Sequence, residues 1–242
     1  MKRGQRRMRM DKTDRRTGKR RFRAAIFDLD GTLCYTYPDL KASLNAAMRE
    51  LGYPERTDAE LMKNVNCGVR EWVRGGMPEE LRENEAEVDR CLEVYTGIYA
   101  RHYCDHTTVY EGLEPVIRRM KDEGFWLAVH TNKEHDHAVG MVEKLLPGLF
   151  DFILGDGHCP PKPDPSGTRM VEEKAGIPSG EFVFIGDSHV DMQTAVNAGV
   201  FALGVSWGYR PESVLWENGA DAVVSTPGEL EEFLFGGCNP GK

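Results

Sequence analysis

Asp28 and Asp30 close the apolar run Ala24-Ala25-Ile26-Phe27, and Gly31 follows them. A short uninterrupted apolar run reads as a buried strand, and in an open α/β sheet ligands sit beyond the carboxyl ends of the strands. Two carboxylates set down there repel each other, and one takes up a proton unless a cation is held between them. Oxygen ligands alone suit magnesium, which keeps part of its water and accepts a substrate phosphate as a further ligand. A calcium loop starting at Asp28 would need glycine at its sixth position and glutamate at its twelfth. The chain has Leu33 and Asp39 there.

Two more apolar runs end in the same way. Residues 126–130 lead into Thr131-Asn132-Lys133, and residues 182–185 lead into Gly186-Asp187-Ser188, with Asp191 close behind. In a doubly wound sheet, residues distant in sequence meet at the carboxyl edge, so Thr131, Asp187 and Asp191 can share a cleft with Asp28 and Asp30. Each has a plainer reading alone: Thr131 or Asn132 as the cap of a helix starting near Glu134, and Asp187 or Ser188 as the cap of one starting near His189. The coincidence of three such strand ends favours a site, as does Lys162 in the stiff loop Pro160-Pro161-Lys162-Pro163-Asp164-Pro165. A hydroxyl, a rigidly held lysine, a metal site and a spare carboxylate are what phosphoryl transfer requires, because its catalysis is mostly positioning and charge neutralisation. An aspartate can take up the phosphoryl group as an aspartyl phosphate, with the second carboxylate as proton donor and then base.

These stretches resemble the four motifs, in order, of the haloacid dehalogenase (HAD) superfamily of phosphohydrolases: residues 28–33, Thr131-Asn132, Lys162-Pro163, and Gly186-Asp187 with Asp191. The resemblance spans about residues 23 to 235. It implies that Asp28 is the nucleophile and Asp30 the general acid and base. Thr131, Asn132 and Lys162 would bind the phosphoryl group, and Asp28, Asp30, Asp187 and Asp191 would serve a Mg2+ ion. Pro38-Asp39-Leu40, Thr131-Asn132-Lys133 and residues 204–209 look most like the phosphoglycolate phosphatases of that superfamily. Tyr35 departs from that subfamily, which usually has an acidic residue there, and Val65-Asn66-Cys67-Gly68 is a loose version of its cap loop. A magnesium-dependent phosphatase acting on a small phosphomonoester is the expected function. A sugar phosphomutase, a pyrophosphatase and a non-catalytic interaction protein on the same fold are the alternatives.

The elements that must position these residues follow from periodicity. Leu40, Leu44, Ala47, Met48 and Leu51 have helical spacing ended by Gly52, and further helical patterns run to about residue 104 with no clear strand before Tyr110. From Gly112 onward strands alternate with helices, with strands at residues 125–130, 152–154, 182–185, 200–205 and 222–224. That alternation predicts an α/β, doubly wound (Rossmann-like) parallel sheet. Residues 23–35 and 109–242 form the expected core, and 36–108 an inserted all-helical cap that closes over the site, as in the family it resembles.

Charge divides the chain of 242 residues, whose net charge is −8. Residues 1 to 23 hold 12 Lys or Arg against 2 Asp, leaving 19 basic and 37 acidic residues for the rest. The acidic body excludes a nucleic-acid face, since phosphate neutralisation dominates such binding. The basic segment, 1–22, has no apolar core of a signal peptide and reads as disordered. Six cysteines show no C-x-x-C pair, and with no transmembrane run the expectation is a reduced cytoplasmic protein, a monomer or homodimer taking a small phosphate ester. The seven histidines read as surface or incidental groups. Two decoys fail on context. Gly204-Val205-Ser206-Trp207-Gly208 fits a serine-hydrolase elbow but no histidine lies downstream of it, and the G-x-x-x-x-G-K match at 236–242 lacks the following helix. Deleting residues 1–21 is expected to leave turnover and thermal midpoint unchanged within error in a paired assay and melt.

Overall fold

The computed structural model describes residues 21–65 and 68–236. The basic segment up to residue 20, Asn66, Cys67 and residues 237–242 of the terminal glycine-lysine match lie outside the described residues. The core begins with β1 (Ala24–Phe27) and the two-residue β2 (Cys34–Tyr35). Four helices follow: α1 (Tyr37–Glu50), α2 (Asp58–Leu61), α3 (Val69–Gly76) and α4 (Glu85–His102). The chain returns through β3 (Thr108–Val109) and then runs α5 (Leu113–Asp122), β4 (Trp126–Glu134), α6 (His135–Leu145), β5 (Phe152–Asp156) and α7 (Ser166–Ala175). It ends with β6 (Phe182–Gly186), α8 (His189–Ala198), β7 (Phe201–Val205), α9 (Glu212–Glu217), β8 (Ala222–Val224) and α10 (Pro227–Phe235). No helix among the described residues is long and apolar enough to cross a membrane.

The six-stranded sheet has the order β5-β4-β1-β6-β7-β8, with parallel pairing throughout. β1 therefore lies between β4 and β6, and the three strand ends read from the sequence as chemical are neighbours at the middle of one edge. Alternation along β1 explains both layers. Ala25 and Phe27 pack with Ile117 of α5, Met141 of α6 and Leu230 of α10, whereas Ala24 and Ile26 pack with Val171 of α7, Met192 of α8 and Leu215 of α9. The insert has its own core, in which Leu44 and Met48 of α1 meet Trp72 and Val73 of α3 and Cys91 and Tyr95 of α4. With this cluster of its own, the insert is a second packing unit on the core.

β2 and β3 pair antiparallel where the chain leaves for the insert and comes back. They lay below the reach of periodicity, which needs more than two residues to register. A buried carboxylate fastens the same junction. Asp39, in the first turn of α1 and 1% exposed, accepts hydrogen bonds from the backbone N–H of His106 and of Thr107 and from the Thr107 hydroxyl at 2.7 Å. Burial would raise its pKa, but these donors outweigh burial and hold it below the usual carboxylate range. Its contribution is thus complete above the unfolded carboxylate pKa and fades as pH falls through the lowered folded value. Asp39→Ala strands these donors and is expected to cost about 3 kcal/mol in urea unfolding at pH 7, with the deficit narrowing in strong acid.

Candidate active site

Asp28 follows the last residue of β1 and is 5% exposed. Its backbone N–H continues the sheet ladder to Ile185 of β6, which fixes the carboxylate at the sheet edge. Lys162 reaches it from the proline-rich loop: Nζ donates to Asp28 Oδ1 at 2.7 Å and to Asp191 Oδ1 at 2.6 Å. Pro163 follows Lys162 through a cis peptide bond. Asp191 lies in the first turn of α8, where its other oxygen accepts from the Ser188 N–H and hydroxyl in a capping box. Ser188 is thus the helix cap that the sequence suggested, and the same cap orients an acidic residue of the site.

Asp187 is fully buried, with the Thr32 hydroxyl donating to Oδ1 and the Tyr209 N–H donating to Oδ2 at 2.7 Å. Space around it is set by two glycines. A Cβ at Gly31, whose φ is 88°, would fall 2.4 Å from Asp187 Oδ2, and one at Gly208 would fall 2.3 Å from Asp187 Cβ. Asp28, Asp187 and Asp191 bring carboxylate oxygens within 4.8 Å of one another. Burial, then Asp191, pushes the Asp28 carboxyl up to about 7 even with Lys162 opposing, and the same effects carry Asp187 well above the usual range. One lysine does not satisfy three buried acids. The surplus of negative charge and the all-oxygen donors fit a hard divalent cation.

Above this floor lies a cavity of about 680 Å³ between core and insert, bordered by Asp28, Asp30, Thr131 and Lys162 on one side and by residues of α3 and α4 on the other. The description "haloacid dehalogenase-like hydrolase" belongs to a family model that matches residues 25–205. The chain belongs to that family. This hydrolase is 33% identical over 221 residues to a phosphoglycolate phosphatase of Chromobacterium violaceum, covering 89% of this chain and 97% of that protein. A solved candidate phosphoglycolate phosphatase of Lactobacillus delbrueckii subsp. bulgaricus superposes with a TM-score of 0.82 at 33% identity, over 89% of this chain and 99% of that one. A solved candidate β-phosphoglucomutase of Thermotoga maritima gives a TM-score of 0.70 at 23% identity, over 88% and 97% of the chains, and speaks for the fold alone.

The acidic residues of the HAD hydrolase separate into two groups. Asp30, expected with the metal ligands, has its carboxylate 2.9 Å from the Lys133 ammonium, which donates to the Tyr99 hydroxyl at 2.7 Å. Burial opposes the Lys133 charge, but Asp30 and Tyr99 outweigh it and hold the ammonium well above its ordinary pKa. The arrangement ties the core carboxylate to α4 of the insert. Asn132, expected on the phosphoryl group, uses both ends of its amide on the backbone of Lys162: Nδ2 donates to the carbonyl and Oδ1 accepts from the N–H. It therefore sets the lysine in place. Tyr209 was unmarked by chemistry, yet its hydroxyl accepts from the N–H groups of Thr36 and Tyr37 while its own N–H binds Asp187.

His130 is a further correction, being a residue of β4 that is 1% exposed beside the Thr168 hydroxyl rather than at the surface. Burial, aided by Lys162, presses its pKa down to about 3, so it stays neutral. The Ser206 hydroxyl of the hydrolase-elbow decoy donates to the Ser225 hydroxyl at 3.1 Å, and its backbone N–H donates to the Val224 carbonyl. Lys162→Met leaves Asp28 and Asp191 buried against each other and is expected to cost about 3–5 kcal/mol in urea unfolding, with loss of turnover. An equal-stability variant would show that the lysine compensates nothing.

Proposed function

We propose that this hydrolase is a magnesium-dependent phosphatase that releases phosphate from a small phosphomonoester through an aspartyl phosphate on Asp28. The observation that supports it best is the buried contact of Asp28 with Lys162 at the cavity floor, beside a second carboxylate that has its own separate partner. The reading also follows the phosphatase names of its relatives.

In this reaction Asp28 attacks phosphorus with a carboxylate oxygen, and the bond to the leaving alcohol breaks. Lys162 and the Thr131 hydroxyl take the phosphoryl oxygens, neutralising charge that builds toward the transition state. Asp30, set apart from the acid cluster by Lys133, gives its proton to the departing alkoxide and then accepts one from the water that attacks the aspartyl phosphate. Asp28, Asp187 and Asp191 would hold the magnesium ion, whose charge offsets that of the carboxylates and of the incoming phosphate. The insert closes the cavity over these groups, so bulk water stays out until the alcohol has left.

Phosphate release from a panel of phosphomonoesters is expected to require a divalent ion and to stop on chelation. Asp28→Asn should abolish both turnover and covalent labelling, because an amide is too poor a nucleophile. Asp30→Asn should fall by roughly 10² to 10⁴-fold on alkyl phosphates and less on an activated aryl phosphate. Acid quench and mass spectrometry should find phosphate on Asp28. Label on a serine, histidine or cysteine would overturn the mechanism.

A further inference from the structure

The wall facing the phosphate end of the cavity comes from the insert and is mostly apolar, with Leu40, Val65, Val69, Trp72, Tyr95 and Ala100, while the Thr96 hydroxyl on it is bound back to the carbonyls of Leu92 and Glu93. Tyr99 also lines it, with its hydroxyl committed to Lys133. The volume, about 680 Å³, sits within the roughly 300–1,000 Å³ typical of pockets for drug-sized ligands, far more than a two-carbon acid alcohol fills.

Charge around the cavity points the same way. Among the described residues the lysines on its lining are Lys133 and Lys162, and each already faces carboxylate, Asp30 for one and Asp28 with Asp191 for the other. The remaining charged side chains of the lining, Glu134 and Asp156, are acidic. His137, also on the lining, has its Nδ1 2.7 Å from the Glu134 carboxylate, and burial presses its pKa below the ordinary value. Arg70, on the helix that supplies Val69 and Trp72, is bound to Glu85 and Asp89 on α4. Arg210, outside the lining, is bonded to the carbonyls of Met62 and Val65. A second anionic group on the substrate would thus lose its water against aromatic carbon and acids, with no further lysine or arginine among the described residues of the lining to receive it. An apolar group there would gain by leaving water.

We propose that the natural substrate is a phosphomonoester of a neutral alcohol with an apolar, aromatic-sized body, and that carboxylated phosphates such as phosphoglycolate are disfavoured. This rests on the phosphatase reading and sharpens it: phosphate seats on Lys162 and Thr131, and the body of the alcohol lies along Trp72, Tyr95 and Val69. Selectivity of this kind comes from the insert, so it can change while the acids and lysines of the core stay the same.

The test compares 2-phenylethyl phosphate with phosphoglycolate, two unactivated alkyl esters, in magnesium-containing buffer. The expected kcat/KM favours the phenylethyl ester by roughly tenfold or more, in line with what a few apolar groups contribute in a fitted pocket. Val69→Lys, at a half-exposed rim position, should narrow or reverse that ratio by supplying a cation. Binding is read separately with two phosphonates that the enzyme cannot hydrolyse, 3-phenylpropylphosphonate and 3-phosphonopropionate. Tighter binding of the phenyl compound supports the proposal. Equal or tighter binding of 3-phosphonopropionate, or equal or better turnover of phosphoglycolate, overturns it and leaves the phosphatase reading intact. Absence of turnover on every phosphomonoester defeats the phosphatase reading, and the phosphonate pair still decides the pocket.

Discussion

The ammonium of Lys162, held between Asp28 and Asp191 with almost no exposure to water, is the contact on which the rest of the site depends. A charge pair at that depth has little water to mask an error of placement, so both sides have to be supported. On one side the support is the prolines and the Asn132 clamp on the Lys162 backbone. On the other it is the β1 ladder for Asp28 and the Ser188 cap for Asp191. Four segments far apart in sequence thus answer to one nitrogen atom. The pairing of β1 with β6 is what brings Asp28 and Asp191 within reach of a single side chain.

The second lysine, Lys133, does different work with similar materials. Its partners are one carboxylate from the core and one phenol from the insert, so its position reports on both units at once. Asp30 is two residues from Asp28, yet its carboxylate has a different lysine for partner. Two acids of the same type, placed by one turn, can differ in role because their cations differ.

Much of this was legible in the chain because it is local or periodic. The apolar runs at 24–27, 126–130 and 182–185 are buried strands, and the polar residues after each run do converge, since parallel strands carry their ends to one edge. The helical insert showed through its spacing. What did not show depends on distance in space. The link from Lys133 to Tyr99 crosses from core to insert, and nothing near either residue in sequence announces it. Asn132 reads as a phosphate ligand by type and position, and the bonds of its amide to the Lys162 backbone are a contact that sequence does not announce. His130 follows the apolar residues 126–129 within β4, and it is buried with them. α9 and α10 were passed over: α9 is short, and α10 is apolar around much of its turn, so neither stands out by amphipathic pattern.

The β2–β3 ribbon brings residues 34–35 and 108–109 side by side. To the sheet, the whole helical block is therefore a single long loop with its ends already joined, and loop-closure entropy grows only slowly with length. A different block of another size could hang from the same ribbon with little cost to the sheet, provided it restores an acceptor like Asp39 and a phenol like Tyr99. The architecture lets the part that meets the alcohol be exchanged as a module while the chemistry at the strand ends is inherited unchanged.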